Sequence, residues 1–355
     1  MSLKDRLKAQ IASGGPLTVA QYMTACLHDP QDGYYATRPR LGEGGDFLTA
    51  PLVSQMFGEL LGLWAAEVWV RLGRPDRVLL VEAGPGDGTL MGDALRAARL
   101  APGFLEAVKL VLVETSPPLI EAQRAKLADG LAEPAWATSL AELPAGAPVI
   151  LLSNELLDCL PARQFVRTER GWAERMVGLD GTGELAFGLT PSPAGVALPE
   201  AAAGDLIEVS PAQEAFGAEL GALLVRQGGA ALLIDYGRSE PGLGDTLQAL
   251  KAHQKVEPLD CPGEADLTVH ADFSAVAAAA RGAGAHTAPI LTQGELLGRL
   301  GIYNRAEALA RRHPDRAEIL ERQLERLTAP DQMGSLFKAL AIHSPALVAP
   351  GFEEL

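Results

Sequence analysis

The chain has 355 residues, a formal charge of −15, 48% hydrophobic and 21% charged residues, which suits one large domain with insertions or two domains. An acidic protein repels phosphate backbones unless a basic patch intervenes, and the densest cations, Arg311, Arg312 and Arg316, are interleaved with acids, so nucleic acid is not expected as a partner. No apolar run reaches the roughly 20 residues of a bilayer span, and Met1 to Arg6 has no apolar stretch behind it; a cytoplasmic protein with no integral membrane segment is expected. Cys26, Cys159 and Cys261 are odd in number and far apart, which argues against a disulfide framework or a thiolate metal site and for small buried apolar residues.

The first residues read as an amphipathic helix. A second helix is expected over 18–28, with Thr18 as N-cap and Val19, Tyr22, Met23 and Leu27 on one face. A loop rich in glycine and aromatics follows, and then a helix over 50–72, where Val53, Met56, Phe57, Leu60, Leu61, Trp64 and Val68 recur at three- and four-residue spacing. From residue 76 strand and helix alternate, the pattern of a parallel α/β sheet. Strands are predicted at 77–82, 108–114, 148–153, 230–236, 287–291 and 335–343, with helices such as 89–99 and 117–128 between them. Two stretches break the rhythm. Residues 165–190 alternate around Arg170-Gly171 and Asp180-Gly181, hairpin turn signals, and 190–205 reads as loop. Residues 237–272 have few apolar positions and several turn dipeptides, so regular structure is not expected there.

The sharpest signal is Val78-Leu79-Leu80-Val81-Glu82-Ala83-Gly84-Pro85-Gly86-Asp87-Gly88-Thr89-Leu90. A buried strand runs into three glycines and then a helical face, and glycine lets a backbone approach a ligand and adopt positive φ. A P-loop needs a lysine after the glycines, and none is present. A dinucleotide turn needs a third glycine where Thr89 stands. S-adenosyl-L-methionine fits better: it is zwitterionic and phosphate-free, so Glu82 at the strand end can face its cationic head. Glu114 ends the next strand, where a carboxylate can accept both hydroxyls of a ribose. Ser116 then starts the following helix. Singly, Glu82 or Glu114 reads equally well as a solvated strand end; at successive strand ends beside the glycines they favour the cofactor.

This E-x-G-x-G-x-G turn, with an acid ending the next strand, resembles class I S-adenosylmethionine-dependent methyltransferases. Further blocks are similar to the MidA-like family, which includes the mitochondrial complex I assembly methyltransferases. They are Gly33-Tyr34-Tyr35, Gly45-Asp46-Phe47-Leu48-Thr49-Ala50-Pro51, Ser54-Gln55-Met56-Phe57-Gly58-Glu59, Ser153 to Pro161, Ile234 to Gly237, Gly244 to Leu247 and Ala265 to Phe273. The resemblance implies a Rossmann-like seven-stranded sheet whose last strand, at 335–343, runs antiparallel. It also implies a helical N-terminal cap over 1–75 and a methyltransferase core over 76–355, with insertions at about 165–205 and 237–285. The mitochondrial relatives methylate an arginine of a respiratory complex I subunit, so a protein substrate is implied.

Asn154 and Glu155 end the strand 148–153, and an amide oxygen beside a carboxylate suits a planar guanidinium. Glu155 is expected to hold the substrate nitrogen; the alternative is an N-cap carboxylate for a following helix. The absence of an Asn/Asp-Pro-Pro-aromatic turn at this place also disfavours a DNA amine as acceptor. Asp46 is a candidate for the cofactor's ammonium, and Thr49, Ser54 and Gln55 for the cleft lining, with helix capping the alternative for Thr49 and Ser54. Tyr34 and Tyr35 either wall a channel or anchor packing. His270 is a candidate general base or a structural hydrogen-bonding residue. The expected activity is methyl transfer to a protein arginine; the alternative is an assembly factor that binds a partner subunit and keeps the cofactor pocket as structure.

Overall fold

The computed structural model describes residues 1–37, 49–128, 130, 132–191 and 198–353. The chain forms two compact units, one of Leu48–Leu156, Glu214–Ser239 and Phe273–Leu355, the other of Met1–Phe47, Leu157–Gln213 and Glu240–Asp272.

The first of these units is built on a mixed sheet. Its strands lie in the order His286–Thr287, Phe337–His343, Gly229–Arg238, Val149–Asn154, Val78–Ala83, Val108–Val113 and Ala135–Ala137. The five from Gly229–Arg238 to Ala135–Ala137 are mutually parallel, and Phe337–His343 runs antiparallel to Gly229–Arg238. Val78–Ala83 and Val149–Asn154 are buried at every position, which is why they read as unbroken apolar runs. The predicted strand 287–291 resolves into two short pieces on Phe337–His343, His286–Thr287 and Leu291–Thr292. Pro289 between them has no N–H to give to a ladder. The last strand starts at Phe337, because Met333–Leu336 forms a helical turn.

The single helix predicted over 50–72 is two helices, Ala50–Val53 and Gln55–Arg71. Ser54 between them is extended (φ −159°, ψ 139°), and its side chain accepts the Met56 N–H. Gln55–Arg71 crosses Thr89–Ala98 at very close range. A Cβ on Gly62 would stand 2.2 Å from the Ala94 carbonyl oxygen, and one on Gly58 2.6 Å from Asp93 Cβ. Three further helices precede the last strand, Gln293–Arg299, Ile302–Arg312 and Ala317–Thr328. They bury Leu296, Leu297, Ile302, Leu309, Leu320 and Leu327.

In the second unit, Leu3–Gly14 and Val19–His28 both start with capping boxes, Ser2 with Asp5 and Thr18 with Gln21. An antiparallel sheet runs in the order Leu17–Thr18, Gly171–Leu179, Arg163–Thr168 and Leu206–Val209, with Leu185–Pro191 also paired to Gly171–Leu179. Its chain reversals fall at the Arg170-Gly171 and Asp180-Gly181 signals. Of the predicted loop 190–205, residues 192–197 lie outside the described residues. Residues 237–272 are more regular than expected: Gln248–Lys251 pairs antiparallel with both Gln254–Val256 and Asp266–Thr268. The tight turn at Ala252 and His253 has φ of 51° and 60° with no glycine or asparagine, so the usual hairpin signal is missing. Cys26 and Cys159 are buried as expected, whereas Cys261 is half-buried. No helix among the described residues is long and apolar enough to cross a membrane.

Candidate active site

At the end of Val78–Ala83, Gly84, Gly86 and Gly88 all take left-handed φ, 69°, 54° and 85°. Three such residues in five would strain any side-chain-bearing sequence, so the glycines are there for the turn. The Gly88 N–H donates to the Pro85 carbonyl at 2.9 Å, the Asp87 carboxylate accepts the Thr89 N–H at 2.9 Å, and Thr89–Ala98 departs from Gly88 as its N-cap. This places the turn at the carboxyl edge of the sheet, where ligands of open α/β sheets bind.

Both strand-end acids stand at this edge. Glu82 is 2% exposed, and its Oε2 is buried with no hydrogen-bond partner among the described residues. Burial, reinforced by the nearby charges of Asp87 and Glu114, pushes its carboxyl well above the usual range. Burial also raises the Glu114 carboxyl, against the pull of its donors. Those donors are the N–H groups of Thr115 at 2.7 Å and Ser116 at 2.8 Å on Oε1, and Gln123 Nε2 at 3.2 Å on Oε2. Gln123 is a site residue that the sequence did not single out. The available signal was a polar residue between Leu119 and Leu127 at four-residue spacing, on the buried stripe of its helix.

Glu82 sets a pH dependence. A carboxyl whose folded pKa is raised keeps a proton that the unfolded chain has already lost. The stability of the ligand-free protein should therefore fall as pH rises from the ordinary carboxylate value, about 4.3, through the folded value. Glu82→Gln should flatten that decline. Urea unfolding of both proteins across this range checks it, and parallel profiles would reject the assignment.

Asn154 closes Val149–Asn154, and its Oδ1 is buried without a partner among the described residues, while its Nδ2 donates to Glu155 Oε1 at 2.8 Å. Glu155 has φ 52°, unusual for a residue with a side chain. Its N–H donates to the Ile234 carbonyl at 2.9 Å, and Oε1 accepts the Ala50 N–H at 3.1 Å. No helix starts at Glu155, and strand Arg163–Thr168 is the next element, which rules out the alternative reading of an N-cap carboxylate. Glu155 holds instead the first N–H of Ala50–Val53, delivered from the N-terminal block.

Asp46 lies outside the described residues. Thr49 precedes Ala50–Val53 but makes no side-chain cap bond; the capping hydroxyl is that of Ser54. Gln55 donates to Glu59 Oε1 at 3.0 Å. Glu59 is 5% exposed and receives Arg305 of Ile302–Arg312 at 2.7 and 3.0 Å. Gln55 also lines a pocket with Leu309, His313, Arg316, Leu320 and Gln323, so its surroundings are the late helices. Ser116 is the N-cap of Pro117–Lys126, its hydroxyl accepting the Leu119 N–H at 3.4 Å. His270 belongs to the other unit, where its N–H donates to the Thr246 hydroxyl at 2.8 Å. Tyr34 in that unit is 1% exposed and stands edge-on to Tyr35, the geometry of packing anchors.

The family of S-adenosyl-L-methionine-dependent methyltransferases matches residues 60–291. Protein arginine methyltransferase NDUFAF7, mitochondrial, of Homo sapiens is 35% identical over 364 residues, covering 95% of this chain and 82% of the human protein. The Drosophila melanogaster homolog of that enzyme is 34% identical over 98% of this chain and 86% of its own. Among solved structures, a Burkholderia thailandensis protein bound to S-adenosyl-homocysteine superposes with a TM-score of 0.85 at 28% identity, over 98% of this chain and 93% of the other. The curated relatives are named as mitochondrial, which overturns the expectation of a cytoplasmic location.

The side chains at the sheet edge suit the cofactor of that family. Glu82 Oε2, without a partner among the described residues, is a buried acceptor that suits an ammonium donor, and Glu114 is a carboxylate held by three N–H donors. The left-handed φ of the three glycines gives the turn its shape at that edge.

Proposed function

Since the chain belongs to the family of S-adenosyl-L-methionine-dependent methyltransferases, we propose that it methylates an arginine side chain of a partner protein, a respiratory complex I subunit being the partner class. The observation that carries the acceptor is Asn154 Oδ1, buried beside the Glu155 carboxylate without a partner among the described residues. An amide oxygen beside a carboxylate suits the planar fork of N–H donors on a guanidinium.

Bound S-adenosyl-L-methionine supplies a methyl carbon made electrophilic by its sulfonium. We assign Glu82 to the ammonium of its amino-acid end, Glu114 to its ribose hydroxyls, and Gly84, Gly86 and Gly88 to close backbone approach. Asn154 Oδ1 and the Glu155 carboxylate then orient the substrate guanidinium by accepting its N–H groups, and orientation of this sort removes much of the barrier to a displacement reaction. As the new N–C bond forms, the methyl carbon–sulfur bond would break to leave S-adenosyl-homocysteine, and the nitrogen sheds a proton, which the Glu155 carboxylate takes.

We read the sheet as the seven-stranded sheet of class I enzymes, with Leu291–Thr292 as an extra short pairing on the last strand. The unit carrying that sheet is taken as the methyltransferase core. The hairpin strands and N-terminal helices of the other unit offer a surface larger than a metabolite requires, which suits a protein substrate.

The test is transfer of labelled methyl groups from S-adenosyl-L-methionine into cell extract, with the modified residue identified by mass spectrometry. Label on arginine with wild type, and loss of it with Gly86→Val, is the expected result. Label that is absent, or equal in the two proteins, rejects the proposal.

A further inference from the structure

Gln123 is 0% exposed, on the helix Pro117–Lys126. A buried amide is costly unless its groups are paired, and this one is paired to three different elements. Its Nε2 donates to the Gly86 carbonyl at 2.8 Å and to Glu114 Oε2 at 3.2 Å, and its Oε1 accepts the Trp136 indole N–H at 2.8 Å. The partners leave no freedom in how the amide faces. An indole N–H can only donate, so the amide oxygen must point to Trp136. The NH₂ group is then aimed at a carbonyl and a carboxylate, both acceptors. Trp136 is itself pinned, with the Arg124 guanidinium 4.3 Å from its ring centroid. The backbone is equally close: a Cβ on Gly88 would meet Gln123 Cα at 3.4 Å.

We propose that Gln123, oriented by Trp136, is the positioning residue of the cofactor site, joining the glycine turn and the Glu114 carboxylate into one preorganised element. The inference rests on the assignment of Glu114 to the ribose. With Thr115 and Ser116 holding Oε1, the Gln123 amide is the third donor that fixes the carboxylate plane. Without it Glu114 can rotate, and the buried carboxyl, already raised in pKa, loses a donor that favours its ionised form. The cost should appear as lost recognition of the sugar hydroxyls, beyond any general loss of stability.

The test compares S-adenosyl-homocysteine with its 2′-deoxyribose analogue by calorimetry, on wild type, Gln123→Met and Trp136→Phe, with thermal midpoints of the ligand-free proteins recorded alongside. Wild type should prefer the hydroxylated ligand by about tenfold or more, the effect of one hydrogen bond to a charged group. Gln123→Met should weaken S-adenosyl-homocysteine by about tenfold and bring the preference close to one. Trp136→Phe should shift it in the same direction by a smaller factor, since the freed amide can turn over. Equal weakening of both ligands, or an unchanged preference, would mean a purely structural glutamine and overturn the proposal. Should Gln123→Met fail to fold, the preference in Trp136→Phe decides alone. Wild-type binding without preference removes the Glu114 assignment and this proposal with it. No binding by wild type removes the functional proposal as well, so the two failures are told apart.

Discussion

Glu155→Gln is expected to lower methyl transfer by about two to four orders of magnitude, the range for removing a positioned acid–base group, while S-adenosyl-homocysteine still binds. The substitution keeps the shape of the side chain and an oxygen for the Ala50 N–H, which lies 3.1 Å from the present carboxylate. What it removes is the negative charge that steadies a guanidinium and receives its proton. Glu155 also bears a backbone cost: at φ 52° a residue with a Cβ gives up about 1–2 kcal/mol against right-handed conformations. A glycine there should be free of that strain, which offsets the loss of the carboxylate's bonds to Ala50 and Asn154, so Glu155→Gly should stay close to wild type in stability and yet be as inactive as Glu155→Gln. Stability bought back at the expense of activity is the mark of strain kept for function. Methyl incorporation and calorimetric binding on the same preparations check both variants. Wild-type incorporation by Glu155→Gln would end the catalytic role. Loss of incorporation with undiminished assembly of the partner would favour a protein that acts by binding alone.

How far the sequence could be read depended on whether each feature was written in one segment or in several. Buried parallel strands such as Val78–Ala83 and Val149–Asn154 carry their environment in their own composition, and the glycine turn carries its conformation. Both are local, and both were legible. The break at Ser54 was not, because the apolar spacing continues through it and the interruption is one extended residue that caps the next helix. Residues 248–268 hid a small sheet because its turn uses Ala252 and His253 in left-handed conformation where glycine or asparagine is the usual sign. The site shows the same division. Glu82, Glu114, Asn154 and Glu155 end strands and could be found by position. Gln123 could not, since its meaning lies in Gly86, Glu114 and Trp136, three partners on separate elements. The late helices were likewise silent about Gln55: only the folded chain brings Arg305 to Glu59 and so fixes the first turn of Gln55–Arg71.

The largest loss of stability should come from Gly62→Val. In the interior of a helix a glycine normally costs up to about 1 kcal/mol relative to alanine, so its replacement would be expected to help. At Gly62 the sign reverses, because a Cβ would stand 2.2 Å from the Ala94 carbonyl oxygen and 2.6 Å from Ala94 Cα. Both are backbone atoms of Thr89–Ala98 and have no rotamer by which to move aside. The two helices must part, and the core they close over, with Phe57, Leu61 and Trp64 each at most 1% exposed, loses packing as they do. The expected destabilisation is about 3 kcal/mol or more, at the upper end of the cost of overpacking. Gly62→Ala should fall between that and wild type. Gly146→Ala is the control for backbone strain alone: its φ is +91°, but nothing lies within 4 Å of the added carbon, so it should cost only about 1–2 kcal/mol. Urea midpoints at constant slope measure all three, and a Gly62→Val midpoint equal to that of wild type would show that the helices do not meet at this glycine. The same helix pair links stability to chemistry. Gln55–Arg71 follows directly on the segment whose Ala50 N–H holds Glu155, and Thr89–Ala98 begins at the glycine turn. Forcing them apart displaces the acceptor side of the site from the cofactor side, so in folded Gly62→Ala the transfer rate should fall further than the affinity for S-adenosyl-homocysteine.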